Sequence, residues 1–273
     1  MFNSVAIVAR TDKPEALKLA KDIDTHLKKR GITVKFETEL ANKLKAKDQV
    51  ALHLAVDLVI TIGGDGTVLR AFHLTNGSVP LFPIRMGTVG FLCDEDWDRA
   101  IAALDRLLDD DYVKEECFSL QSNLETQMAL NEFRVGSPSP SHPIELEVYV
   151  DEFLLARDKL DGMIISTNTG ASAYALSAGA NIIDPRLKAI MIVPICPLSP
   201  NFKPYVVPSD SVVKIRAISE NDLTILVDGE YQKGLSGIKE IKIFKSPRIV
   251  TILRTRWNFY ERLKRRLNVS STK

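Results

Sequence analysis

Residues 58–70 read Leu-Val-Ile-Thr-Ile-Gly-Gly-Asp-Gly-Thr-Val-Leu-Arg, and this block constrains the fold more than any other stretch. The β-branched run Leu58 to Ile62 predicts a buried strand, while Thr67 to Thr75 has helical character and closes at Asn76-Gly77. A strand passing through glycines into a helix belongs in a parallel α/β sheet. The three glycines let the backbone approach a ligand closely and take φ > 0, and the helix start offers N–H groups to an anion. A phosphate suits that place. Neither GxxxxGK[ST] nor GxGxxG occurs, so the P-loop and the dinucleotide fingerprint are excluded. Asp65 is the unusual member, because a carboxylate among phosphate-facing amides repels phosphate unless it has another task. It can orient or deprotonate a hydroxyl, or help to hold Mg2+. A tight turn with a capping Asp fits the block equally well.

The flanks extend the same alternation. Val5 to Val8 predicts a strand, and Pro14 to Arg30 a helix with Ala16, Leu17, Ala20, Ile23 and Leu27 at near-3.6 spacing before Gly31. Strands are expected at Thr33 to Phe36 and Leu81 to Ile84, then a turn at Gly87 and Gly90. Asp94 or Asp96 is placed to cap a helix from Trp97 to Leu108. Residues 1–116 therefore read as an α/β domain with a parallel, doubly wound sheet. Beyond Asp109-Asp110-Asp111 strands follow in quick succession: Ser119 to Glu125, Met128 to Val135, Ile144 to Val150, Phe153 to Arg157, Met163 to Ser166, Ala189 to Val193, Val212 to Ile218, Leu223 to Val227, Lys239 to Lys245 and Ile249 to Arg254. One helix candidate, Ala173 to Ala178, interrupts them, and Gly136 to Pro143 is a loop by composition. Residues 117–255 read as a β-rich, sandwich-like domain. Trp257 to Leu267 returns to helical spacing, with Trp257, Tyr260, Leu263 and Leu267 on one face, and residues 256–273 are expected to pack on the first domain. The cations Arg262, Lys264, Arg265 and Arg266 complement that helix's dipole.

Composition narrows the function classes. The 273 residues carry 36 basic and 35 acidic side chains for a net charge of +1, so bulk affinity for nucleic acid is not expected. A 45% hydrophobic content excludes disorder. No run approaches the roughly 18 apolar residues of a membrane helix. No secretory leader pattern opens the chain. Cys93, Cys117 and Cys196 form no CxxC pair, and His26, His53, His73 and His142 form no HxxxH, so neither a disulfide framework nor a protein-built metal site is expected. A reducing cytoplasm fits.

Two further blocks carry chemistry. Asn131-Glu132 puts an amide beside a carboxylate, a pair able to read an adenine edge and to accept hydrogen bonds from a ribose diol; a solvated strand end is the plainer alternative. Asp161 to Gly179 runs from a strand through Ser166-Thr167-Asn168-Thr169-Gly170 into a helix, gathering hydroxyls and amides at one helix start with Tyr174 available to stack on a base. A well-capped helix also explains it. Val227-Asp228-Gly229-Glu230 reads simply as a hairpin turn.

Taken in order, these blocks resemble the NAD kinase family. The matching pieces are GGDGT at 63–67, GTVGFL at 87–92, Asn131-Glu132, the stretch DGMIISTNTGASAYALSAGA from 161 to 180, Ile192 to Pro197 including Cys196, Asp228-Gly229-Glu230 and Phe259 to Leu263. GGDG alone is shared with diacylglycerol and sphingosine kinases and with phosphofructokinases, whereas the TxTGxSAY-like segment is particular to NAD kinases. The resemblance implies transfer of the γ-phosphoryl group of ATP, or of polyphosphate, to the 2′-hydroxyl of the adenosine ribose of NAD. Mg2+ or another divalent cation accompanies the donor, and NADP is the product. It implies an α/β domain and a β-rich domain with NAD between them, in a homodimer or homotetramer.

By position, the resemblance makes Asp65 catalytic and puts Gly66, Thr67 and Arg70 near the phosphates, with Asn131 and Glu132 on the adenosine. Ser172, Ala173, Tyr174, Ala175, Leu176 and Ser177 line the adenine and ribose pocket. Lys159 and Asp161 sit near the nicotinamide half, with Cys196 and Glu230 also at the cofactor. Several residues depart from the family. Arg85 stands where Asn is common, and its cation is expected to meet a phosphate. Asn168 and Ala171 replace Pro and Ser, which loosens the turn, and Glu230 replaces a frequent Gln. A GGDG-type lipid or sugar kinase and a non-catalytic NAD(P)-binding regulator are the alternatives.

Overall fold

The computed structural model describes all residues except 1, 47–48, 51–55, 88–89, 94, 125, 138–141, 219–221, 232–236, 257–258 and 267–273. Thr88, Val89, Asp94, Glu125, the middle of the 136–143 loop, Trp257 and Leu267, which carry expectations above, lie outside the described residues. The chain forms two compact units, Met1–Glu116 with Ile249–Lys273, and Cys117–Arg248. The return to the first unit begins at Ile249, within the last strand and earlier than the residue 256 read from the sequence.

In the first unit the elements are β1 Ser4–Ala9, α1 Pro14–Lys29, β2 Thr33–Glu37, α2 Thr38–Leu44, β3 Gln49–Val50, β4 Leu58–Gly63, α3 Asp65–Thr75, β5 Leu81–Arg85, β6 Glu95–Asp96, a 3-10 turn Trp97–Arg99 and α4 Ala100–Leu108. The sheet order β5-β4-β1-β2-β3 is parallel, so the chain reverses direction across the sheet between β1 and β4. Alternate residues Leu58, Ile60 and Ile62 of β4 pack with Ala16, Ala20, Ile23 and Leu27 of α1 and Leu104 and Leu107 of α4. Val59 and Thr61 are equally buried but outside that cluster, as are Val68, Ala71 and Phe72 of α3. Both faces of the sheet are therefore covered, the doubly wound arrangement. The short α2 has no Ser, Thr, Asp or Asn cap to announce it. Glu37 performs that task, its carboxylate accepting the amides of Glu39 (3.0 Å) and Leu40 (3.2 Å). Asp96 caps nothing: its carboxylate is taken by Arg85 instead.

In the second unit, β7 Val113–Ser122 leads in, followed by β8 Glu132–Gly136, β9 Ile144–Val150, β10 Phe153–Leu160, β11 Gly162–Thr167, a 3-10 turn Gly170–Ser172, α5 Tyr174–Ser177, β12 Ala189–Ile195, β13 Tyr205–Pro208, β14 Val213–Ala217, β15 Thr224–Val227, β16 Glu230–Tyr231 and the outgoing β17 Glu240–Arg254. The chain ends its described part in α6 Phe259–Arg266 of the first unit. β17 is one strand of 15 residues where the sequence suggested two. Pro247 lies in the gap between the two ranges read from the sequence, and falls between the pairing of Glu240–Ile243 with β14 and that of Ile252 with β5. The sheet β13-β12-β11-β8-β15-β16 is antiparallel, as are the β10-β9-β14-β17 pairings. Phe133, Val135, Met163, Ile165 and Ile192 of the first meet Leu146, Val148, Ile215 and Ile243 of the second in one apolar core, which makes a sandwich. Each such side chain removed from water contributes roughly 1.5–3 kcal/mol.

Candidate active site

The GGDG turn stands at the carboxyl end of β4, where the sheet order reverses beside β1, the place at which open α/β sheets bind ligands. Its three glycines have different reasons to be there, and none has positive φ, contrary to the sequence expectation. A Cβ on Gly63 would lie 2.1 Å from Thr67 Oγ1, so helix–strand packing requires that glycine. Gly64 and Gly66 have open space where a Cβ would point. α3 begins at Asp65 without a side-chain cap. The Asp65 carboxylate reaches across to residues 90–92: Phe91 N donates to Oδ2 at 2.9 Å and Leu92 N to Oδ1 at 3.0 Å. Gly90 closes against it, since a Cβ there would fall 2.1 Å from Oδ1. Asp65 is thus a carboxylate held in one orientation by two backbone amides, with a lone pair on each oxygen still free to accept.

The cations around this turn are distributed unlike the sequence reading. Arg70 turns inward, donating to Ala9 O (2.8 Å) and Glu39 Oε2 (2.7 Å) and lying 3.5 Å from Glu37, so its guanidinium braces α3 on the β1 and β2 ends. Arg85 is beside Gly63 in the β4–β5 register, but its Nε donates to Asp96 Oδ1 at 2.8 Å. Two residues the motif reading missed stand beside the Gly63 and Gly87 turns, Arg10 with its guanidinium engaged by Asp12. Arg10 packs its Cγ 3.0 Å from the Gly63 Cβ position, and Lys13 Nζ lies 3.8 Å from that of Gly87. Both follow β1, and their only signal in the sequence is position after the strand beside the reversal point.

In the second unit, Leu130 to Glu132 is gripped from a distance. Asp228, in the Asp-Gly turn between β15 and β16, accepts Leu130 N (2.9 Å), Asn131 N (2.8 Å) and Glu132 N (3.0 Å). Both turn residues have positive φ, 49° at Asp228 and 85° at Gly229, the two-residue hairpin geometry that Asp-Gly favours. This feature therefore does more than turn the chain. From the other side Thr167 N donates to Asn131 O (2.8 Å), Thr167 Oγ1 to Leu130 O (2.7 Å), and Gly170 N to Thr167 Oγ1 (2.9 Å). A Cβ on Gly170 would lie 2.3 Å from Asn131 O, so that glycine is obligatory. Asn168 tightens this turn rather than loosening it. Its amide donates to Pro185 O (2.6 Å) and Leu187 O (2.9 Å), and its own oxygen accepts Thr169 N (3.0 Å).

Glu132 is 6% exposed. Removal from water, then the nearby Asp228 charge, push its carboxyl up to about 8, while the donated Tyr174 N–H opposes them. Its Oε2 is buried without a partner among the described residues. Around it, Tyr174 is 42% exposed, Ser177 is exposed, Ala173 and Leu176 are half-buried, and Ser172 donates its hydroxyl to Thr169 O at 3.2 Å. Ala175 is fully buried with Ile164, Ala171 and Val193, so its side chain belongs to the core. Lys159, Asp161 and Cys196 gather instead at the opposite end of β11, joined by Asp161 N to Ile195 O (3.0 Å) and Leu198 N to Lys159 O (2.9 Å). From Gly162 to Ser166, the residue opposite Glu132, a strand rises about 13 Å, which separates this group from Glu132. Glu230 is exposed on β16.

Among the described residues no helix is long and apolar enough to cross a membrane. Two family models match in tandem, the ATP-NAD kinase N-terminal domain over residues 5–112 and the ATP-NAD kinase C-terminal domain over residues 130–255. The NAD kinase of Methanosphaera stadtmanae is 36% identical over 272 residues, covering 97% of this chain and 99% of its own length. That of Thermococcus gammatolerans is 40% identical over 270 residues, covering 96% and 97%. A solved NAD kinase from Archaeoglobus fulgidus in complex with ATP matches with a TM-score of 0.81 and 26% identity over 98% of this chain and 100% of that one. A yeast NADH kinase complexed with NADH shares the fold, with a TM-score of 0.89 and 22% identity over 99% of this chain and 89% of its own. With both domain models matched in order, and relatives of this identity along nearly its whole length, the chain belongs to the NAD kinase family.

Proposed function

We propose that this protein phosphorylates NAD, moving the γ-phosphoryl group of ATP, or the terminal group of polyphosphate, to the 2′-hydroxyl of the adenosine ribose to give NADP. One observation carries the reading: the buried Glu132 carboxyl, on the residue opposite Ser166 where the hydroxyl- and amide-rich 166–170 segment begins, has one oxygen without a partner among the described residues. A ribose diol completes such a group. With its carboxyl at about 8, Glu132 keeps its proton at neutral pH and offers both a donor and an acceptor to the sugar. Asn131 supplies an amide for the base, and the exposed Tyr174 ring a surface for stacking.

Asp65 carries the transfer. The attacking 2′-oxygen forms its bond to the γ-phosphorus as the bond to the leaving diphosphate breaks, and the hydroxyl proton passes to an Asp65 oxygen. Because phosphoryl transfer is largely dissociative, fixing the acceptor matters more than base strength, and the Phe91 and Leu92 amides provide that fixity. Gly66 and Thr67 lie where the phosphates approach, with Lys13 and Arg85 as the nearby cations. A divalent ion carried by the donor's phosphates supplies charge neutralisation. Magnesium needs only one or two carboxylates besides phosphate oxygens, and Asp65 is the carboxylate of this turn that would meet it. No three His, Cys, Asp or Glu side chains cluster as a cage among the described residues.

The reading includes a cytoplasmic homodimer or homotetramer. Lys159 and Asp161, far along β11 from Glu132, reach the nicotinamide half of an extended dinucleotide or that of a neighbouring copy. The test is purified protein with NAD or NADH, Mg2+, and ATP or polyphosphate, with NADP(H) measured. Product is expected with NAD. A lipid or sugar kinase consumes ATP without regard to NAD, a regulator binds NAD without turnover, and absence of product in every pairing overturns the reading.

A further inference from the structure

The segment that orients Asp65 is itself held, and the hold is buried. Arg254, the last residue of β17, is 2% exposed and is the largest fully buried side chain among the described residues. Its Nη1 donates to Leu92 O at 3.1 Å, the carbonyl of the residue whose N–H fixes Asp65 Oδ1. Its Nε donates to Glu115, whose other oxygen lies 3.7 Å from Arg262 Nη2 of α6. The next residue, Thr255, hydrogen-bonds Glu95 through its hydroxyl, and its carbonyl accepts Arg106 Nη2 at 2.8 Å. Arg85 takes Asp96. Leu92, Glu95 and Asp96 are thus each held by a side chain, and of these three holds the Arg254 one falls on a peptide unit adjoining one that touches Asp65.

We propose that Arg254 is a positioning residue for phosphoryl transfer: it fixes the Leu92 carbonyl and through that backbone sets the amides that aim the Asp65 carboxylate. The inference rests on Asp65 being the acceptor of the hydroxyl proton. A buried arginine paired with a glutamate is often only a structural charge pair, but the pair alone does not require the further contact, to a backbone carbonyl 162 residues away. A guanidinium meets both demands because its planar fork holds Glu115 and Leu92 O at once; an ammonium meets one.

The test compares Glu115→Gln alone with Glu115→Gln/Arg254→Met, a background in which no carboxylate is left buried without its partner. Arg254→Lys is made in the native background. Expected for the double variant is a fall in kcat of about 10- to 100-fold relative to Glu115→Gln, the weight of one charge-assisted hydrogen bond, with KM for NAD and for ATP within about 2-fold. Arg254→Lys recovers part of the loss. Amide exchange at Phe91 and Leu92 provides a readout independent of turnover, and both protons exchange about 10-fold faster in the double variant. Unchanged exchange overturns the inference whatever the activity. So does full kcat, or a loss of kcat matched by the fraction unfolded. An inactive wild-type protein refutes the functional reading instead, and exchange still decides whether Arg254 holds the segment.

Discussion

Replacing Glu132 by Gln stabilises this protein while impairing it, and the size of the effect follows from where the carboxyl lies. Its ordinary value is 4.5; burial and the Asp228 charge raise it to about 8 in the folded chain. Between those two values the native state holds a proton that the unfolded chain has released. Stability therefore falls as pH rises from 4.5 to about 8, by about 1.4 kcal/mol per pH unit, and levels off above that range. By pH 7 about 3 kcal/mol has been lost to keeping Glu132 protonated. Gln has nearly the same shape and no proton to hold. The Glu132→Gln protein is thus expected to be more stable by about 3 kcal/mol at pH 7, a rise in Tm of roughly 5–10 °C for a chain of this size, and to match the wild type near pH 4.5. The assay is thermal unfolding of both proteins, without ligand, in steps from pH 4.5 to 8.5. The lowered carboxylates, such as Asp57 under the Asn3 and Ser4 amides and Asp222 under the Gly237 amide, titrate below this window. The histidines cancel in the difference between the two proteins. Parallel Tm curves across the whole window refute the buried, protonated carboxyl. NAD affinity is expected to move the other way, weaker in the variant, as at sites that trade stability for function.

Three further outcomes test the rest of the site. Asp65→Asn turns an amide NH2 toward one of the two backbone donors, Phe91 N or Leu92 N, as well as removing the proton acceptor, so kcat should fall by about 10²- to 10⁴-fold with NAD binding retained, and near-full turnover sinks the role assigned to Asp65. Gly90→Ala drives a methyl into the Asp65 carboxylate, 2.1 Å from Oδ1, and a misplacement of that order costs about 100-fold in kcat; wild-type kinetics would show that the segment has room to yield. Asp228→Ala strips the shared acceptor from three backbone amides, for a predicted destabilisation of about 2–4 kcal/mol by denaturant unfolding together with weaker NAD binding. A change under about 0.5 kcal/mol with normal NAD affinity contradicts the clamp.

Much of this protein is legible in its residues taken in order. The β-branched run into Gly63, the near-3.6 spacing of α1 and the dense strands after residue 117 are local patterns, set by backbone sterics and the alternation of apolar side chains, and they foreshadow the two-unit architecture. Asp65, Asn131-Glu132 and the 161–180 stretch were visible because their residue types are chemically unusual at such places. Less legible were α2, capped by a Glu, and the unbroken β17, whose Pro247 resembles a stop. The binding roles read for Arg70 and Ala175 met a different local balance, since a guanidinium within reach of Glu39 and Glu37 turns to them, and a methyl above Ile164 and Val193 stays in the core.

The sequence by itself determined which groups are available and what each local segment does. Tertiary structure alone decided how the groups are aimed and charged. Asp228 grips Asn131 from 97 residues away, and Arg254 reaches Leu92 across 162. Their partners are backbone N–H and C=O groups, which every residue but proline carries alike, so nothing in the chain marks 91–92 or 130–132 as the places where a distant side chain lands. The proton on Glu132 is likewise no property of glutamate or of its neighbours in sequence. It follows from water being excluded around one carboxyl beside another, a condition that exists only once the second unit has folded.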